Sequence, residues 1–211
     1  MNKQFIAILV IIVGGLFGIL VFTGNNKNSG GSNNASAQPS AHITGKLDSK
    51  VNLTEYGDFQ CPACKAYYPI VKQLKTEYAD RVAFQFSNFP LTQIHRNAFI
   101  SARAGEAAAK QGKFFEIHDL LYENQDSWSS LSDPTPSFVA FAAQLGLNAG
   151  KFKSDMNSSE VSDIINADRK IIQGLGGNGT PSFVLNGKKI DSPRSIDDFK
   201  KVLDEALKSN Q

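Results

Sequence analysis

The chain has 211 residues, of which 41 % are hydrophobic and 20 % charged, with a formal net charge of +2. That composition supports one packed domain with an appendage and excludes wholesale disorder, and so small a charge argues against a nucleic-acid binder. The excess is confined to residues 1–45, which hold Lys3 and Lys27 and no acid, so residues 46–211 are balanced.

Residues 5–22 (FIAILVIIVGGLFGILVF) carry neither a charge nor a polar side chain. As a helix they would be about 27 Å long, close to the hydrocarbon thickness of a bilayer. Lys3 before them favours a cytoplasmic N-terminus and an exported remainder. Residues 1–22 are therefore expected to be a membrane anchor. A cleaved signal is the alternative, but the stretch is long for one and the small-residue pattern Ala35-Ser36-Ala37 lies well beyond its end. Residues 23–41 are rich in Asn, Ser and Gly and nearly free of hydrophobes, which predicts a flexible linker. The expected location is the cell membrane, single-pass, with the domain outside the cytoplasm, or secretion after cleavage.

The folded domain is expected over residues 42–211. Lys50–Tyr56 alternates Val51 and Leu53 with polar neighbours and reads as a strand. From Pro62, apolar residues at Ala66, Tyr67, Ile70, Val71, Leu74 and Tyr78 fall at helical spacing, with Pro62 suited to the first turn. Arg81–Phe86 is a second strand, so residues 50–86 form a right-handed β-α-β unit with a parallel pair. Helices follow at Asn97–Lys110, Phe114–Glu123, from Thr135 to a stop at Gly146, around Phe152 and Met156, and over Val161–Ile172. Ser182–Asn186 and Lys188–Asp191 make a hairpin about Asn186-Gly187, a type I′ signal. Ser195 and Asp198 cap a last helix whose apolar face is Ile196, Phe199, Val202, Leu203 and Ala206. The order is β-α-β, an all-helical insertion at about 92–175, then β-β-α: an α/β domain with a small mixed sheet.

Cys61-Pro62-Ala63-Cys64 stands at the strand-to-helix junction and holds both cysteines of the chain. Free N–H groups and the helix dipole favour an anion at Cys61, and the thiolate is the nucleophile of disulfide exchange. The three-residue offset places both sulfurs on one helix face. One stapling disulfide, or two buried thiols, is the alternative, but so short a closed loop constrains the unfolded chain little. A single CxxC with scattered His42, His95 and His118 cannot supply a four-ligand structural zinc site. No calcium loop is recognisable, and no metal ligands are assigned. Pro181, in Gly179-Thr180-Pro181, is either a strand-entry residue or a cis-proline at an active site. Gly174-Leu-Gly-Gly-Asn-Gly179 has the spacing of a dinucleotide loop but runs from helix to strand, the wrong order for one. His95 and His118 read as helix-surface or capping residues, and Trp128 as a packing residue.

Glu55-Tyr-Gly-Asp-Phe-Gln-Cys-Pro-Ala-Cys64, Asn88-Phe-Pro-Leu91, Phe114-Phe-Glu-Ile-His-Asp-Leu-Leu-Tyr-Glu-Asn-Gln125 and Gly179-Thr-Pro-Ser-Phe183 together resemble the DsbA-like thiol-disulfide oxidoreductases, above all their membrane-anchored Gram-positive-type members. The resemblance covers about residues 42–208 and implies a thioredoxin-like fold with a helical insertion. It implies that Cys61 is the exposed, attacking cysteine and Cys64 the resolving one. Pro181 is then cis and faces the pair, with Thr180 offering backbone to a substrate peptide. Glu55 matches the buried acid beneath the pair that assists proton transfer at Cys64; a solvated strand carboxylate is the other reading. Pro62 and Ala63 become the residues that tune the potential, without the histidine of the best-known strong oxidants. Asp191 stands where many relatives carry glycine.

The expected activity is introduction of disulfides into exported proteins, with no cofactor beyond the redox-active Cys61–Cys64 disulfide. The expected partners are exported proteins with free thiols and a membrane quinone-linked thiol oxidase that restores the disulfide. No nucleic acid is expected, and the protein should be a monomer. A reductase or isomerase on the same fold, and a copper-binding module using the two thiolates, are the alternatives.

Overall fold

The computed structural model of the protein describes residues 38–210. The expected anchor at 1–22 and nearly all of the expected linker lie outside them. Among the described residues no helix is long and apolar enough to cross a membrane.

In chain order the elements are β1 (His42–Gly45), β2 (Asn52–Gly57), α1 (Pro62–Glu77), β3 (Ala83–Asn88), α2 (Ala98–Ala109), α3 (Phe114–Glu123), α4 (Gln125–Trp128), α5 (Thr135–Gln144), α6 (Ala149–Met156), α7 (Ser159–Gly174), β4 (Ser182–Leu185), β5 (Lys188–Ile190) and α8 (Ile196–Ser209). The strands form one mixed sheet in the order β1-β3-β2-β4-β5. β2 and β3 are parallel, as the β-α-β reading requires, and β2 pairs antiparallel with β4. Six helices, α2–α7, stand between the two halves of the sheet.

Local chemistry accounts for most of the element ends. Pro62 opens α1, where its missing N–H costs nothing. Asn186 and Gly187 both take positive φ, 50° and 79°, which a type I′ turn demands. Ser195 and Asp198 close a reciprocal capping box on α8.

Two elements were not expected. β1 is a fifth strand, antiparallel to β3 at the sheet edge, and its four residues are too short to show a period. α4 is a single turn for the same reason. The folded part also starts earlier than residue 42. Ser40 is buried and gives its N–H and hydroxyl to the Asp168 carboxylate on α7, at 2.8 and 2.7 Å. Asn88 donates both to Asp168 and to Glu106 on α2, and His42 Nε2 lies 2.7 Å from Glu106. This buried polar network ties the start of the domain to the sheet and to the insertion.

One face of β2 and β3 is filled in two parts. Near the start of the strands, Leu53 and Phe84 pack with Leu74 of α1, Phe183 of β4 and Phe199 and Leu203 of α8. Near their ends, Phe86 packs with Phe59, Cys64 and the apolar residues of α2–α6. Trp128 is wholly buried in this second part, as a packing residue should be, with its indole N–H on the Leu121 carbonyl and its edge on Phe138.

Candidate active site

β2 ends at Gly57, and residues 58–61 turn the chain outward before α1 begins. Asp58 organises the turn. Its carboxylate accepts the Gln60 and Leu91 N–H groups at 2.8 and 2.9 Å and lies 2.7 Å from His95 Nδ1. The Asp58 carbonyl accepts the Cys61 N–H at 3.0 Å. Cys61 is the N-cap residue of α1, with extended φ/ψ and no side-chain cap bond, so its sulfur stands at the positive end of the helix.

Both cysteines are free thiols. Cys64 is wholly buried, and Cys61 keeps 7 % of its surface. Cys61 is thus the more accessible of the two but far less exposed than expected. The chain before Pro181 comes close to it: Cys61 Sγ lies 3.5 Å from the Thr180 carbonyl oxygen, to which the protonated thiol donates. The Thr180–Pro181 peptide bond is cis.

The two sulfurs have opposite electrostatics. A hydrogen bond from the Cys64 thiol is the largest influence on Cys61. With the Thr180 side chain and the Cys64 and Ala63 N–H groups, it outweighs burial and lowers the Cys61 thiol to about 5. Cys64 is held well above the usual thiol range, first by burial, then by its bond to Cys61 and by the Glu55 carboxylate. At neutral pH the pair therefore holds one thiolate, on Cys61.

Glu55 is buried, not a solvated strand carboxylate. Burial raises it to about 7, against the opposing pull of Lys75, and its Oε1 has no hydrogen-bond partner. It borders a cavity of about 160 Å³, together with Thr44, Lys72, Lys75, His118 and Asp119. Lys75 reaches across the ring of Phe115, and burial pushes its ammonium down while Glu55 and Asp119 pull it up.

The structure thus brings Cys61, Cys64, Glu55, Thr180 and Pro181 into one site, with Pro62 and Ala63 in the first turn of α1. Both histidine expectations are overturned. His118 is buried among Phe59, Phe86 and Tyr122, where desolvation lowers it to about 4 and keeps it neutral. His95 is partly buried against Asp58 and caps no helix. Their helical or polar sequence surroundings concealed partners 37 residues away and more. Four residues near the pair were not singled out by the sequence reading: Asp58, Gln60, Lys75 and Gln125. Asp58, Gln60 and Gln125 lie inside the quoted motifs, which was the one available signal. Lys75 has none, since its interest comes only from facing Glu55.

A sequence profile of the thioredoxin family matches residues 37–205. The Na(+)/H(+) antiporter NhaA 1 of Mycobacterium sp. (strain KMS) is 33 % identical over 156 residues, which are 72 % of this chain and 24 % of that protein. The chain thus spans about a quarter of the length of the antiporters it matches. A Bacillus cereus protein named "Probable disulfide bond formation protein D" is 30 % identical over 210 residues, covering 96 % of this chain and 93 % of that one. Oxidised BdbD from Bacillus subtilis superposes with a TM-score of 0.71 at 23 % identity, over 82 % of this chain and 97 % of that structure, a likeness of fold.

Proposed function

The chain belongs to the thioredoxin family, and from that premise we propose that it is a DsbA-like protein thiol-disulfide oxidoreductase that runs in the oxidising direction, placing disulfides in exported proteins. The observation that carries the direction is the stabilised Cys61 thiolate. Whatever stabilises the reduced form makes the disulfide a stronger oxidant.

In this reading a substrate thiolate attacks Cys61 Sγ of the Cys61–Cys64 disulfide. A substrate–Cys61 mixed disulfide forms, and the electron pair of the broken bond leaves on Cys64 Sγ. Cys64 does not hold a negative charge well, because it is buried. Glu55, still protonated in part at neutral pH, supplies the proton, and the adjoining cavity with Lys75 gives it a route to recover one. A second substrate thiolate then attacks the substrate sulfur of the mixed disulfide. Cys61 departs as a thiolate, a good leaving group at its low pKa. The balance is two substrate thiols oxidised to one disulfide and the enzyme disulfide reduced to a dithiol. Thr180 and Pro181 offer backbone to the substrate chain beside Cys61, and Pro62 and Ala63 tune the pair through the first turn of α1.

The same reading has residues 1–22 anchoring the protein in the cell membrane, with the catalytic domain outside. A membrane quinone-linked thiol oxidase would restore the disulfide there. The pair itself serves as the redox group, without a further cofactor or metal, and the protein acts as a monomer.

The test is the equilibrium reduction potential of the Cys61–Cys64 pair against glutathione. A value near about −120 mV supports the oxidising direction, and one near about −270 mV makes the protein a thioredoxin-like reductant.

A further inference from the structure

Residues 58–61 belong to no regular element, yet they fix where the reactive sulfur sits. The stabilising groups on Cys61 Sγ are short-range ones: the Cys64 thiol, the Thr180 side chain and the N–H groups of Ala63 and Cys64. Cys61 Sγ stands at the open N-terminus of α1 without a side-chain cap bond, so a small displacement of the Cys61 backbone would change its distance from the Ala63 and Cys64 N–H groups that favour the thiolate. Within its own segment the turn has only the two bonds to Asp58. Asp58 is tied in turn to the Leu91 N–H and to His95, and the Cys61 carbonyl also accepts the Lys65 N–H of α1 at 3.1 Å. At Phe59, Gln60 and Cys61 the ties to the helical insertion pass through two side-chain amides.

Gln125, the first residue of α4, is 3 % exposed. Its Nε2 donates to two carbonyl oxygens of the turn, Phe59 at 2.7 Å and Cys61 at 3.1 Å. Gln60 makes the reciprocal contact from the turn outward. Its Nε2 donates to the Ser129 carbonyl at 2.7 Å, and its Oε1 accepts the Asn97 N–H at 2.6 Å. The start of α2 and both ends of α4 thus grip the turn. We propose that Gln125 and Gln60 are positioning residues through which the helical insertion holds Cys61 against its thiolate donors.

Amide side chains suit this task because they bond carbonyls without adding charge beside the thiolate. The titratable groups that face the pair are Cys64 on α1, Glu55 on β2, Asp58 in the turn and Tyr122 on α3; the Lys65–Asp126 ion pair lies on the outer side of α4. None of these accepts or donates at the two carbonyls that Gln125 holds. The inference concerns the reduced protein and goes beyond the oxidising reading. Its readout is the same whichever way electrons flow, so a potential near that of thioredoxin would overturn that reading and leave this one standing.

The test uses the full chain, reduced, with thiolate formation followed by ultraviolet absorbance against pH. Gln125→Met keeps the volume and removes the donor. The expected result is a midpoint raised by about half to one pH unit, a three- to tenfold loss of thiolate on the flank of the titration. Gln125→Glu, which points a carboxylate at two carbonyls, should raise it further. An unchanged midpoint in folded Gln125→Met protein, whatever its melting temperature, would make Gln125 a packing residue and overturn the proposal. Should that variant not fold, Gln60→Met decides: it cuts the reciprocal link to Ser129 and Asn97 from the less buried side, and a raised midpoint supports the proposal while an unchanged one overturns it.

Discussion

Leu53 and Glu55 stand two residues apart on β2 and face the same way, each beside a phenylalanine of β3: Leu53 pairs with Phe84 and Glu55 with Phe86. Around Leu53 the packing is aliphatic and aromatic, from α1, α8 and β4. Around Glu55 lie two thiols, a neutral buried histidine and a cavity, and the buried oxygens of Glu55 and Tyr122 lack partners. One strand therefore lays down stability at its start and reactivity at its end. An unpartnered buried polar group costs free energy, and the hydrocarbon end offsets that cost.

The largest effect that tests this contrast is on activity. Cys61→Ser should reduce dithiol oxidation to background in a turnover assay, because the nucleophile is lost, and should lower the urea midpoint of the reduced protein at neutral pH but not below pH 5, where the Cys61 thiolate of the parent is protonated as well. Full activity in that variant would break the assignment of the two ends. At the other end, Leu53→Ala should cost roughly 2–5 kcal/mol in urea unfolding while the Cys61 thiolate midpoint stays near 5. A large move in that midpoint would mean that the two ends are one coupled unit.

Glu55→Gln sharpens the comparison through pH. The carboxyl is raised in the fold to about 7, so its contribution to stability is complete below the ordinary carboxylate range and is lost as pH rises through 7. The Gln variant escapes that loss. Above pH 7 it should be the more stable protein, by up to about 3 kcal/mol, while resolving the mixed disulfide more slowly. Equal stability of the two at pH 9 would place Glu55 outside the desolvated region. The smallest effect is expected at the cap of α8, which carries Phe199 and Leu203 into the hydrocarbon end. Ser195→Ala should cost about 1 kcal/mol and leave every redox readout unchanged.

Most of the α/β architecture was legible in the sequence because it is written in local terms. Helical spacing marked α1, α2, α3 and α5–α7, the Asn186-Gly187 pair marked the hairpin, and Ser195 with Asp198 marked the start of α8. The CxxC at a strand-to-helix junction was legible for the same reason. What the periodicity could not carry were elements shorter than a period, β1 and α4, and the depth at which polar residues would lie.

By itself, then, the sequence determined the order of the elements, the helix start beneath Cys61 and the presence of two cysteines one turn apart. The helix start also favoured the anion on Cys61, whereas only the tertiary structure set Thr180, 119 residues away in sequence, with its carbonyl oxygen 3.5 Å from that sulfur. Burial that raises Glu55 and neutralises His118 is likewise a property of packed neighbours, and so is the grip of Gln125 on the Cys61 carbonyl across 64 residues. Side-chain periodicity is set by the backbone of one element, whereas a pKa is set by whatever the fold brings within a few ångströms.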